Sequence, residues 1–319
     1  MVPSSSNVKV VSSPRYAIDI GPHVFPTEKF RRIYDRLLAT PHPGLDGIVA
    51  PQAASWDELA LVHTDEYLDK VRTRSLSSEE IMELQLPLNE SIVEGFRLMT
   101  GGTLTAARLA LSDGMACHIG GGFHHAFANH GEGFCLFNDV AVAIEVLRQE
   151  GAVSRAVVVD LDVHHGNGTA LIYGRDPSVF TCSMHEQHNY PAFKPRGSLD
   201  IGLAAGTDDV TYLQTLEGVL PRVVAHEADL IVYLAGADPF EDDQLGNLTL
   251  SKKGLRQRDR LVLHAMREAE IPVAIVCAGG YARQLVDTVD IHVATIEEAL
   301  SAMAARSPSG PPPARRGLR

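Results

Sequence analysis

Short runs that are apolar on both faces, separated by stretches of helical periodicity, constrain this chain more than any other feature. The strand-like runs are residues 116–119, 155–160, 179–183, 229–234 and 272–277. Helical periodicity covers 139–150, 209–225, 252–270 (with Ser251 as N-cap) and 296–305. Upstream, it covers 28–39, 65–73 with Thr64 as N-cap, and 90–111, where Gly101 and Gly102 mark either a close packing contact or a break. A strand without a polar face needs cover on both sides. The pattern therefore predicts an α/β fold, a three-layer α/β/α domain around a mainly parallel sheet. No repeat or linker interrupts residues 14–305, which are expected to form one domain between a flexible N-terminus (1–13) and a disordered Pro- and Arg-rich tail (306–319).

The 319 residues are 45% hydrophobic, as expected of a globular protein with a large core. Lys and Arg number 28 against 40 Asp and Glu, and the resulting net charge of −12 argues against docking on nucleic acid or an acidic membrane. No apolar run spans a bilayer and the start lacks the pattern of a secretory signal, so a cytoplasmic location is expected. The four cysteines, Cys117, Cys135, Cys182 and Cys277, form no Cys-x-x-Cys pair. They read as core residues, not as a zinc ribbon or a disulfide framework.

The strand at 155–160 runs into Asp160-Leu161-Asp162-Val163-His164-His165-Gly166-Asn167-Gly168. Alternation along an extended segment points Asp160, Asp162 and His164 the same way, which is costly unless a cation sits among them. A divalent metal is the natural choice. In a parallel sheet, function gathers after the carboxyl ends of the strands. The other strands lead there into Gly120-Gly121-Gly122-Phe123-His124-His125, Gly236-Ala237-Asp238-Pro239 and Gly279-Gly280-Tyr281. Singly, an Asp before Pro or a Gly-Gly-Tyr is an ordinary turn. Together they supply a ligand set, paired imidazoles and a phenol, which independent turns have no reason to do.

These segments, with Gly133-Phe134-Cys135-Leu136-Phe137-Asn138-Asp139, resemble the ordered motifs of the zinc-dependent histone deacetylase family in the arginase/deacetylase fold. The resemblance covers roughly residues 15–300, and His23–Phe30 is similar to class IV and related bacterial members. It implies that Asp162, His164 and Asp238 bind the catalytic metal, Zn2+ or Fe2+, with open positions for water and substrate. Asp160 would pair with His124, His125 would be the general base and acid, and Tyr281 would donate to the oxyanion. Phe134, Tyr190, Gly133, Gly279 and Gly280 would line an acyl-lysine channel. A structural K+ would use Asp160, Asp162, His164, Ser183 and Met184.

Asn167 stands where many family members have Asp; it can orient His125 but cannot stabilise an imidazolium by charge, so His125 is expected to be less basic. Gly166 and Gly236 replace the carboxylates of the two-metal arginase branch, which disfavours ureohydrolase chemistry. The implied reaction is hydrolysis of an N-acyl amide, with an acyl-lysine protein or an acylated amine such as an acetylpolyamine as substrate. A silent acyl-lysine binder is the rival from another class.

Overall fold

The computed structural model describes residues 7–305, so the expected tail at 306–319 lies outside the described residues. Eight strands, β1 (Val8–Val11), β2 (Leu45–Val49), β3 (Met115–His118), β4 (Ala156–Asp160), β5 (Val179–Glu186), β6 (Leu199–Leu203), β7 (Leu230–Leu234) and β8 (Val273–Val276), form one sheet. Their order is β2-β1-β3-β8-β7-β4-β5-β6, and every pairing is parallel. Four central strands, β3, β4, β7 and β8, are buried along their whole length. Such strands require helices on both faces. Helices Glu90–Asp113 and Asp139–Gln149 pack together on one side. Glu28–Ala39, Leu285–Ala304, Lys252–Glu268 and Asp209–Val224 pack in succession on the other. The expected three-layer α/β architecture is what the chain adopts.

Of the expected flexible N-terminus at 1–13, residues 1–6 lie outside the described residues, and the rest is corrected by β1, whose Val8, Val10 and Val11 are fully buried between β2 and β3. Four residues of Val and Lys carry too little pattern to stand out from a loose start. The edge strands β2 and β6 escaped notice because they are half-exposed and read as loop. Helix Leu285–Ala304 begins well before the expected 296, since its Val, Thr and Ile residues argue locally against a helix that burial then imposes. Gly101 and Gly102 do not break their helix: a Cβ on Gly101 would lie 1.8 Å from the Gln52 carbonyl oxygen, and one on Gly102 2.2 Å from His118 Nε2. They permit a close approach.

β3, β8, β7 and β4 are adjacent in the sheet, so the loops after them open side by side. These are the segments that carry the histidines, the acids and the phenol.

Candidate active site

Past the end of β4 the chain keeps Asp162 and His164 on one side, and the loop after β7 brings Asp238 to meet them. One potential ligand atom from each of the three buried residues lies within 4.8 Å of the others. His164 Nδ1 is 3.0 Å from Asp162 Oδ1 and 3.4 Å from Asp238 Oδ2. The outer oxygens are held from behind: the Val163 N–H donates to Asp238 Oδ1 (2.9 Å) and the Gly279 N–H to Asp162 Oδ2 (2.9 Å). Asp238 Oδ2 is buried and has no hydrogen-bond partner. A buried carboxylate oxygen left unpaired beside a second carboxylate is what a bound cation would satisfy. Asp238 is accordingly pushed up by burial and by the charge of Asp162. The donor set, two carboxylates and an imidazole, fits a divalent ion such as Zn2+ or Fe2+.

The glycines here are steric requirements. A Cβ on Gly279 would meet Asp238 Oδ2 at 2.0 Å and Asp162 Oδ2 at 2.6 Å, and one on Gly236 would sit 2.8 Å from Asp238 Oδ1. A Cβ on Gly166 would meet Asp160 Oδ2 at 2.4 Å. The carboxylates that a second metal would need at 166 and 236 therefore have no room. Buried Arg258 braces the same loops, donating from Nη1 to the Gly236 carbonyl at 2.6 Å and to the Leu161 carbonyl at 3.3 Å, with Asp259 as its ion-pair partner at 2.8 Å.

The loop after β3 delivers the paired imidazoles. Asp139 holds it by accepting the Gly122 and Phe123 N–H groups at 2.9 and 2.7 Å. His124 Nδ1 bonds Asp160 Oδ2 at 2.7 Å, and its Nε2 lies 3.1 Å from His125 Nε2. Burial alone would lower the His124 pKa, but the charges of Asp160 and Asp162 outweigh it and raise it to about 9. His125 goes the other way, lowered first by burial and then by the charge of His124. Its Nδ1 lies 2.8 Å from Asn167 Oδ1, an oxygen that can only accept, so the Nδ1–H tautomer leaves Nε2 with a lone pair. One ring is cationic and the other neutral; this separation is how two like groups take two roles.

Tyr281, after β8, lines the same pocket as His124, His125, Asp162 and His164. Its backbone is fixed by Asp243, which accepts the Tyr281 N–H at 2.7 Å, and by Gln244, whose Nε2 donates to the Tyr281 carbonyl at 2.8 Å. Burial, then Asp162 and Asp238, push its phenol well above the usual range, so it stays a proton donor. Phe134 (φ 69°), Gly133, Tyr190 and Leu245 wall the mouth. A Cβ on Gly133 would meet both His125 Cδ2 and Tyr190 Oη at 2.9 Å. Gly279 also lines the pocket, but the expected wall role of Gly280 is corrected: at φ 146° its missing side chain would point at Ala237 and Thr288, each 2.9 Å away. That glycine serves the turn.

Sequence reasoning missed Lys29 and Glu132. Lys29 is fully buried, donates to the Ala278 carbonyl at 2.7 Å and lies 5.7 Å from the Tyr281 ring centroid. A lysine in the first turn of an amphipathic helix ordinarily reads as solvated. Glu132 sits between Asn167 and Tyr190, each within 2.9 Å of its Oε1. No spacing rule marked it. Ser183 lies on β5 opposite Asp160 of β4, with buried Met184 next to it, which puts both beside the ligand segment.

Two neutral histidines hold the dyad loop from either end. His63 Nδ1 donates to the Phe127 carbonyl (3.0 Å) while its Nε2 accepts the Asn138 N–H (3.1 Å). His118 sits between Thr103 Oγ1 (3.0 Å) and the Tyr16 hydroxyl (2.8 Å). Burial lowers their pKa values to about 4 and about 3. Unfolded, each would titrate near 6.5. Between these values the unfolded chain binds more protons, so the stability they confer is complete above pH 6.5 and declines as pH falls, by about 3 kcal/mol for His63 once pH reaches 4. Thermal unfolding midpoints should therefore drop steadily from pH 6.5 to pH 4; a flat profile would contradict the buried neutral assignment.

Residues 23–296 match the histone deacetylase domain family. The chain is 40% identical to an uncharacterised protein of Picosynechococcus over 89% of this chain and 95% of that one. It is 32% identical to histone deacetylase 2 of Arabidopsis thaliana, covering 89% and 78% of the two chains. Among solved structures, a histone deacetylase homologue complexed with SAHA superposes with a TM-score of 0.76 at 26% identity, over 92% of this chain and 84% of that one. The domain match, the relatives and the shared fold agree: this chain belongs to the histone deacetylase family.

Proposed function

We propose that the protein hydrolyses the acyl amide of acyl-lysine side chains on proteins, releasing a carboxylate and the free amine. The observation that carries this reading is the unpaired, buried Asp238 Oδ2 facing His164 and Asp162 in the pocket that His125 and Tyr281 also line. Family membership makes the chain a deacetylase-type hydrolase; the substrate and the roles below are our assignment.

Asp162, His164 and Asp238 would hold a divalent ion, Zn2+ or Fe2+. When bound, such an ion acidifies water and polarises a carbonyl oxygen. His125, neutral and with its lone pair on Nε2, takes a proton from the attacking water and later returns it to the leaving amine. His124, cationic through Asp160, adds positive charge beside the negative charge that develops on the substrate. Tyr281 donates its hydroxyl to the oxyanion. Gly133, Phe134 and Tyr190 enclose the alkyl stem of the substrate and exclude water. A K+ ion held by main-chain carbonyls of Asp160, Asp162, His164 and Met184 and by Ser183 would offset the acidic segment.

Two alternatives keep the same chemistry or none. Acetylpolyamines would suit an acidic protein, whose net charge of −12 attracts cationic substrates. A silent binder would have no need of His124, His125 and Tyr281 together. Elemental analysis of the purified protein, followed by incubation with acetylated peptides, long-chain acyl peptides and acetylpolyamines, tests all three. Release from a lysine peptide supports the proposal. Turnover of polyamines alone moves the substrate class, and a stoichiometric metal without turnover of any acyl amine overturns hydrolysis.

A further inference from the structure

Asn167 takes the place of a carboxylate behind the general base, yet a carboxylate stands one step further out. We propose that Glu132 is a positioning residue that supplies the missing charge to His125 through the Asn167 amide and ties the channel wall to the same anchor. This inference rests on the role of His125 given above. Asn167 is fully buried, and its two amide atoms are both used: Oδ1 faces His125 Nδ1 at 2.8 Å and Nδ2 donates to Glu132 Oε1 at 2.9 Å. An Asn side chain can turn over, exchanging acceptor for donor. Here the carboxylate decides the matter, because Glu132 can only accept and so fixes the NH2 outward and the oxygen toward His125. That orientation in turn sets the His125 tautomer.

The second function of Glu132 follows from its other partner. The Tyr190 hydroxyl also donates to Oε1, at 2.9 Å, and the Tyr190 ring stands edge-on to His125 with centroids 5.0 Å apart. The wall that would grip the acyl-lysine stem and the base that would take the proton thus share one anchor. His130 Nε2 lies 3.7 Å from Glu132 Oε2 on the outer side, and the Glu132 side chain is 13% exposed. The Glu132 pKa is held below the usual range despite burial, by His130, Asn167 and Tyr190, so the group is an anion at neutral pH. The arrangement reads imidazole, amide, carboxylate: the charge is present, with an amide inserted between it and the ring.

Exchanging the last two groups tests the arrangement. Glu132→Gln retains an acceptor and removes the charge; kcat on the substrate found above should fall about 10-fold, with KM changed less than about 2-fold. Asn167→Asp alone places two carboxylates in contact and should be impaired as well. The double variant, Glu132→Gln with Asn167→Asp, restores one carboxylate and one amide in reversed order and should recover kcat to within about 3-fold of the wild type. A Glu132→Gln enzyme with wild-type kcat, or a double variant no better than either single one, overturns the proposal. A structural role alone would give no recovery.

A second readout does not require turnover. Nitrogen-15 NMR of histidine-labelled protein should report the Nδ1–H form of His125 in the wild type and a mixture of tautomers in Glu132→Ala. An unchanged His125 signal in Glu132→Ala would overturn the orienting role even if no acyl substrate is ever turned over, so the two failures are told apart.

Discussion

Tyr281→Phe is expected to lose on the order of 100-fold or more in kcat on an acetyl-lysine peptide while retaining its full metal content. Asp243 and Gln244 hold the Tyr281 backbone and not its hydroxyl, so removing one oxygen leaves the loop after β8 in place. The ring would also keep its edge contacts with Phe134 and His164, at 6.1 and 6.4 Å between centroids. On the proposed mechanism, what disappears is a donor to charge that exists only in the transition state. For that reason the loss should fall on kcat, with KM nearly unchanged. Comparable turnover in the variant would remove Tyr281 from the oxyanion site and leave the neighbouring imidazoles to explain the chemistry.

Asp238→Ala should act one stage earlier, on the metal itself. With one of three protein ligands gone, metal content after dialysis should fall to about a tenth or less, and turnover should drop on the order of 1,000-fold, equivalent to about 4 kcal/mol of transition-state stabilisation. Asp238→Asn provides the control for folding, because its side-chain oxygen can still accept the Val163 N–H that Asp238 Oδ1 accepts now. The sign of the stability change is also informative. In the metal-free protein Asp238 is pushed up by burial and by Asp162, so neutralising it relieves a repulsion. Metal-free Asp238→Asn should thus melt no lower than the metal-free wild type, while the gain in melting temperature on adding Zn2+ should vanish. A fully metallated Asp238→Ala protein would reduce Asp238 to a turn residue.

The centre of the sheet was legible because β3, β4, β7 and β8 are buried on both faces and therefore spell out uninterrupted apolar runs. The acidic segment was legible for a related reason: two acids and an imidazole crowded after one strand are costly without positive charge nearby, and the structure gives Asp160 to His124 and groups Asp162 and His164 with Asp238. Edge strands and the helix from Leu285 were not, since their local composition argues for loop or strand and only packing decides otherwise. Glu132 and Lys29 illustrate a deeper limit. Each is an ordinary surface-type residue by spacing, and each acquires its meaning from a partner far along the chain, Lys29 from Ala278 and Glu132 from Asn167 and Tyr190. Gly280 shows the converse, a motif residue next to the pocket whose place is decided by the turn it makes.

The strand order has a consequence for biosynthesis. β3 and β4 follow one another along the chain, yet β8 and β7 must slide in between them, and these are the last of the described strands to leave the ribosome. Until residue 276 has emerged, the histidine loop and the acidic loop belong to two separate half-sheets. A nascent chain short of β8 therefore carries both imidazoles of the dyad without the central strands that hold them against the acidic segment.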